Sequence, residues 1–181
     1  MMKLICKFIL FTILRWKVEG NFQKADKKYV LIVAPHTSWV DFPIAVFVNY
    51  ATDLRANFVG KSTLFKPPFG FLFRSVGGAP VDRTKNNNVV DSIIEIFNSR
   101  ERFILGISPE GTRKKVEEWK SGFYYIAKGA KVPIYTASLD FENKKITISE
   151  NPFFTTEDKE ADFKYLHLFF KGVKGKIPEY S

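Results

Sequence analysis

From residue 29 to residue 149 short apolar runs alternate with stretches whose apolar residues recur at helical spacing, and that alternation leaves few folds open. Tyr29-Val30-Leu31-Ile32-Val33 is an unbroken apolar run of the kind buried on both faces of a parallel sheet. Phe103-Ile104-Leu105 is another. Between them Val89, Val90, Ile93, Ile94 and Phe97 share one helical face, with Asp91, Ser92, Glu95 and Asn98 opposite. The pattern predicts strands near 29–34, 54–59, 78–82, 102–107, 132–139 and 144–149, and helices near 41–51, 87–99, 119–129 and 158–172. Strand and helix in alternation make an α/β fold, a mostly parallel mixed sheet flanked by helices. The last two strands, about the turn Glu142-Asn143-Lys144, read as an antiparallel hairpin. At 181 residues one core is large enough to fold alone, and no repeat, low-complexity run or break in composition divides it.

In such sheets ligands sit beyond the carboxyl ends of the strands, and the residues with chemistry gather there. Ala34-Pro35-His36-Thr37-Ser38-Trp39-Val40-Asp41 follows the first strand and sets a histidine and an aspartate five residues apart on a loop that feeds a helix. A carboxylate at that distance can accept a hydrogen bond from one imidazole nitrogen and leave the other to take a proton. Read alone, the two are as well explained as a surface histidine and an unrelated helix-start aspartate. Ile107-Ser108-Pro109-Glu110-Gly111-Thr112-Arg113 leaves a second strand through turn chemistry, and Gly77-Gly78-Ala79-Pro80-Val81-Asp82-Arg83 is a short strand ending in Asp-Arg. Their common placement is what makes the pair count.

These blocks, His-x4-Asp, then Gly-x4-Asp-Arg, then Pro-Glu-Gly-Thr-Arg, in that order, closely resemble the glycerolipid acyltransferases of the 1-acylglycerol-3-phosphate type. Lys131-Val132-Pro133-Ile134-Tyr135 resembles a fourth block, so the likeness runs from about residue 30 to 137. Pro35 stands where many members carry Asn, and the fourth block has Thr136 near the place of its usual second proline. The resemblance implies transfer of a fatty acyl group from a thioester to the hydroxyl of a lysophospholipid such as 1-acylglycerol-3-phosphate, in phospholipid biosynthesis. The donor is a co-substrate, acyl-coenzyme A or acyl carrier protein, with no other cofactor and no metal. His36 is then the general base and Asp41 its orienting acid. A free histidine has a pKa near 6.5 and is largely neutral at working pH. Arg83 and Arg113 suit a bidentate grip on phosphate. Glu110, Gly111 and Thr112 belong by resemblance to acceptor binding, and backbone amides around Gly111 are candidates for the oxyanion.

Other readings stand beside this one. The same motifs serve other lysolipids, an aminolipid hydroxyl or glycerol-3-phosphate. A catalytically silent lipid-binding protein on this scaffold is a second class, against which the intact His36 and Asp41 argue. Three scattered ligands, His36, Asp41 and Glu110, with no second histidine nearby make a poor metal site. His167, on the last predicted helix, reads as a half-buried structural histidine.

Composition narrows the partners. The formal net charge is +9 and there are 19 phenylalanines. No nucleic-acid motif stands out, so an anionic membrane surface is the expected partner rather than nucleic acid. The single cysteine, Cys6, excludes an internal disulfide framework and fits a reducing compartment. Residues 4–14 are apolar but as a helix would be only about 16 Å long, against a hydrocarbon core of about 30 Å. With Lys3, Lys7, Arg15, Trp16 and Lys17 at its margins, residues 1–18 read as a membrane-associating helix and 19–181 as the acyltransferase domain. A buried core helix and a signal peptide compete with that reading. A peripheral or monotopic protein on the cytoplasmic face of the inner membrane is expected. Gly60–Arg74, with four phenylalanines and two prolines, reads as sheet capping, acyl-groove wall or membrane-facing lip, with Lys61, Lys66 and Arg74 near phosphate. Lys171-Gly172-Val173-Lys174-Gly175-Lys176 reads as a solvated basic tail.

Overall fold

The computed structural model describes residues 1–20, 26–81 and 89–181, the side chain of Lys61 excepted. The strands are β1 (Lys17–Glu19), β2 (Lys28–Ala34), β3 (Ala56–Lys61), β4 (Gly78–Val81), β5 (Phe103–Ile107), β6 (Ile134–Asp140) and β7 (Lys145–Ile148). They form one sheet in the order β1-β7-β6-β2-β5-β3-β4. Neighbours run parallel except β6 and β7, the antiparallel hairpin read from the sequence. The helices are α1 (Met2–Lys7), α2 (Asp41–Thr52), α3 (Gly70–Ser75), α4 (Val89–Ser99), α5 (Gly122–Ala130) and α6 (Lys159–Leu168).

Both faces of the sheet are covered, and the period-2 alternation of the central strand decides which residue goes where. Tyr29 and Leu31 of β2 face a core shared with Cys6 and Leu10 of the N-terminal segment and Ile44, Val48 and Ala51 of α2. Val30 and Ile32 face the opposite core, with Ile93 and Phe97 of α4, Phe123 and Ile126 of α5 and Leu166 of α6. Burying each of the Val, Leu, Ile and Phe side chains among them contributes about 1.5–3 kcal/mol.

Local chemistry explains where the elements depart from the sequence reading. The strand expected from residue 54 begins at Ala56, because Asp53 takes the left-handed conformation (φ 57°) and the Leu54 N–H closes α2 on the Asn49 carbonyl (3.1 Å). The helix expected from 119 begins at Gly122, because the Lys120 N–H is bound to the Pro109 carbonyl (2.8 Å). The helix expected to reach 172 ends at Leu168 and breaks into tight turns, with Gly172 at φ 81°. The phenylalanine-rich stretch holds a 3-10 turn (Ser62–Phe65) and α3.

At the N-terminus α1 runs into a π-helical turn (Phe8–Ile13). The segment is packed on α2 through Cys6 and Leu10, and Trp16 is buried edge-on against Phe141 at 4.9 Å. Its outer face carries Met2, Leu4, Ile5, Phe8, Phe11 and Ile13 exposed. Among the described residues no helix is long and apolar enough to cross a membrane. The basic segment 171–176 is not a solvated tail. The Phe141 N–H donates to the Lys174 carbonyl (2.8 Å), and the following Ile177 N–H donates to Thr37 Oγ1 (3.0 Å).

Candidate active site

β2 ends at Ala34, and the six-residue loop to α2 folds around one buried oxygen. Asp41, the first residue of α2, accepts three hydrogen bonds on Oδ2, each 2.9 Å long, from His36 Nδ1–H and from the N–H groups of Thr37 and Ser38. The two amides fix the loop, and the aspartate sits in the first turn of a twelve-residue helix, where the dipole favours a negative charge. Because a carboxylate only accepts, the neutral ring carries its proton on Nδ1 and a free lone pair on Nε2. The Asp41 side chain is 5% exposed and that of His36 31%, so the carboxylate is sheltered while the imidazole remains reachable.

Glu110, after β5, is buried and ties the two chemical loops together. Its Oε1 accepts from the His36 backbone N–H (3.0 Å) and its Oε2 from the Ser108 hydroxyl (2.6 Å). Among the described residues it makes no pair with Arg113, whose guanidinium is exposed. Gly111 sits at φ 63°. A Cβ there would lie 2.7 Å from Cδ of Lys120, so the lysine side chain runs directly over the glycine. The Gly111 N–H is turned to the Ser108 carbonyl (3.3 Å), which occupies one of the amides around Gly111 that are candidates for an oxyanion.

Two cavities meet at His36. One, of about 280 Å³, is almost wholly apolar, with Val33, Phe42, Val46, Phe58, Ile107 and Ala137 among its walls and the His36–Asp41 pair at one side. The other, of about 580 Å³, is lined by His36, Ser108, Gly111, Thr112, Arg113 and Lys120. The structure thus brings His36, Asp41, Glu110, Gly111, Thr112 and Arg113 together. Arg83 and Asp82 lie outside the described residues, as does the Lys61 side chain. Arg74 is turned to the Phe65 carbonyl (2.8 Å). Lys120 was not among the expected residues. Its only signal in the sequence is a lysine two residues before Gly122, where α5 begins.

His167 is stacked on Trp119, ring centres 3.7 Å apart at 27°, and lines a third cavity behind Glu110. One ring face is sheltered by the stack, and desolvation of the ring lowers its pKa, against a smaller opposing pull from the Glu110 charge. Among the described residues no cluster of His, Cys, Asp or Glu is arranged to hold a metal ion.

Residues 15–140 match the acyltransferase family model. The chain is 30% identical over 94 residues to the 1-acyl-sn-glycerol-3-phosphate acyltransferase of Escherichia coli (strain K12), covering 49% of this chain and 38% of that protein. It therefore spans less than half the length of that relative. The fold is similar to the crystal structure of the 1-acyl-sn-glycerophosphate (LPA) acyltransferase PlsC from Thermotoga maritima, with a TM-score of 0.63 and 19% identity over 94% of this chain and 75% of that one.

Proposed function

This chain belongs to the acyltransferase family, and from that premise we propose that it moves a fatty acyl group from a thioester to the hydroxyl of a lysophospholipid such as 1-acylglycerol-3-phosphate, in phospholipid biosynthesis. The observation that carries the reading is the position of one imidazole, with Nδ1 held by Asp41 and the ring between an apolar chamber and a basic cleft. The chamber suits the fatty chain of the donor. The cleft, with Arg113 and Lys120 on its wall, suits the phosphate monoester of the acceptor, and Arg113 offers the bidentate grip.

His36 Nε2 takes the acceptor hydroxyl proton as that oxygen bonds to the thioester carbonyl carbon. Asp41 stabilises the imidazolium that forms. Collapse of the tetrahedral intermediate breaks the carbon–sulfur bond, and the imidazolium returns its proton to the departing thiolate. The acceptor oxygen is the nucleophile, so no acyl-enzyme is needed. The thioester is borne by coenzyme A or acyl carrier protein. The exposed apolar face of residues 2–13 supports a monotopic placement on a membrane surface, and we propose that this surface is the cytoplasmic face of the inner membrane.

The test is incubation of purified protein and a labelled acyl thioester with lysophosphatidic acid, glycerol-3-phosphate or a phosphate-free monoacylglycerol. Phosphatidic acid formed by the wild type and abolished in His36→Ala supports reaction, acceptor and base together. Full activity in His36→Ala overturns the mechanism. Activity on glycerol-3-phosphate alone keeps the chemistry and moves the acceptor. Lipid binding with no transfer to any acceptor favours the silent lipid-binding alternative.

A further inference from the structure

The C-terminal segment folded back on the catalytic loop forms one wall of a cavity of about 530 Å³ whose lining does not include His36. Ile13, Leu14, Trp16, Val40 and Ile44 line its apolar side, and Phe141, Lys144, Lys174 and Lys176 stand opposite. The cations exceed their acids. Lys174 is paired with Glu142 at 3.0 Å, whereas Lys176 lies over the Phe141 ring at 5.9 Å, and neither it nor Lys144 has an ion pair among the described residues. The apolar wall continues into the exposed side chains of Phe11 and Ile13 on the N-terminal helical segment. Apolar residues that end in a buried tryptophan and then in several lysines give the order of groups met on passing from acyl chains to headgroups.

We propose that this cavity binds the phosphate headgroup of an anionic phospholipid in the bilayer on which the N-terminal helix lies. It rests on the reading of that helix as interfacial, and it adds a discrete lipid site separate from the acceptor cleft. The site is mechanically close to the chemistry. Gly175, between the two lysines, is packed so tightly on Thr37 that a Cβ would stand 2.7 Å from Thr37 Cγ2, and Ile177 N–H holds Thr37 Oγ1. Thr37 in turn donates its N–H to Asp41. A headgroup bound by Lys174 and Lys176 seats the catalytic loop at the surface from which a lysolipid acceptor arrives.

The experiment is vesicle co-sedimentation with phosphatidylcholine alone and with phosphatidylcholine containing phosphatidylglycerol. Four proteins are compared: wild type, Lys174→Ala/Lys176→Ala, the charge-matched control Lys27→Ala/Lys164→Ala, and Ile5→Ser/Phe8→Ser. A cation at an anionic surface is worth about 1 kcal/mol, or about fivefold, so the Lys174/Lys176 variant should lose roughly 25-fold in affinity for the anionic vesicles. It should keep its binding to neutral ones, while the control loses only a few-fold. Lys176→Ala alone, which leaves the Lys174–Glu142 pair intact, should lose about fivefold. Equal losses in the Lys174/Lys176 variant and the control overturn the site but leave interfacial docking standing. Wild type that binds neither vesicle, or Ile5→Ser/Phe8→Ser that binds both as wild type does, overturns the docking reading and the site with it.

Discussion

The two cavities that meet at His36 are built on opposite plans. The apolar chamber takes its walls from β2, α2, β3, β5, β6 and β7, elements locked in place by the core. The basic cleft takes its cations, Arg113 and Lys120, from the exposed loop between β5 and α5. Rigid packed walls discriminate by volume, and a methylene more or less in such a pocket is worth about 1–3 kcal/mol. Long cations on a loop discriminate by charge and adapt in position. On this reading selectivity for the fatty chain belongs to the sheet, and selectivity for the acceptor belongs to the loop.

The contrast can be broken or sharpened by four variants. His36→Ala acts on both sides alike and should lower turnover about 10²–10⁴-fold with every donor and acceptor, the usual contribution of a positioned base. Arg113→Ala and Lys120→Ala should each lower kcat/KM about 10- to 100-fold on phosphorylated acceptors, chiefly through KM, and spare phosphate-free ones. Equal losses on both acceptor types would remove the cleft from acceptor recognition. Ala137→Leu projects new methyl groups toward the chamber and should cost long-chain thioesters about tenfold relative to short ones in a chain-length series, with the acceptor KM unchanged.

The smallest effect concerns stability alone. The folded-state pKa of His167 lies below its ordinary value, because desolvation against Trp119 disfavours the charged ring. The unfolded chain therefore binds a proton that the folded one resists. The stabilisation is complete above about pH 6.5 and declines as pH falls through the folded value. His167→Gln should flatten that decline in thermal melts across this range, without moving acceptor selectivity.

Much of this was legible in the chain. The apolar run 29–33 located the central strand, and the five-residue spacing of His36 and Asp41, weighed with the two other blocks at strand ends, brought out the hydrogen-bonded pair, because strand and loop both depend on neighbours along the sequence. Arg113 was found for the same reason. Lys120 was not, since it reaches the cleft only through the Lys120–Pro109 backbone bond and the bare α-carbon of Gly111. The chamber was equally hidden, because six separated elements contribute to it and each wall residue alone looks like core. The segment after α6 misled because lysines and glycines at its end look like any solvated tail. The hydrogen bonds that dock it on the Phe141 backbone and the Thr37 hydroxyl are made between residues far apart in sequence.

The grip of Glu110 on both Ser108 and the His36 backbone has one more consequence. Strands β2 and β5 are nearest neighbours, with Ile32 opposite Ile107, so the grip joins the loops that leave two adjacent rails. The loop that carries the base and the loop that carries Arg113 share a single mount. A displacement of either strand end is therefore shared by the His36 loop and the Arg113 loop. On the proposed membrane placement, that shared mount would hold the imidazole and the cleft in register on a soft, undulating surface.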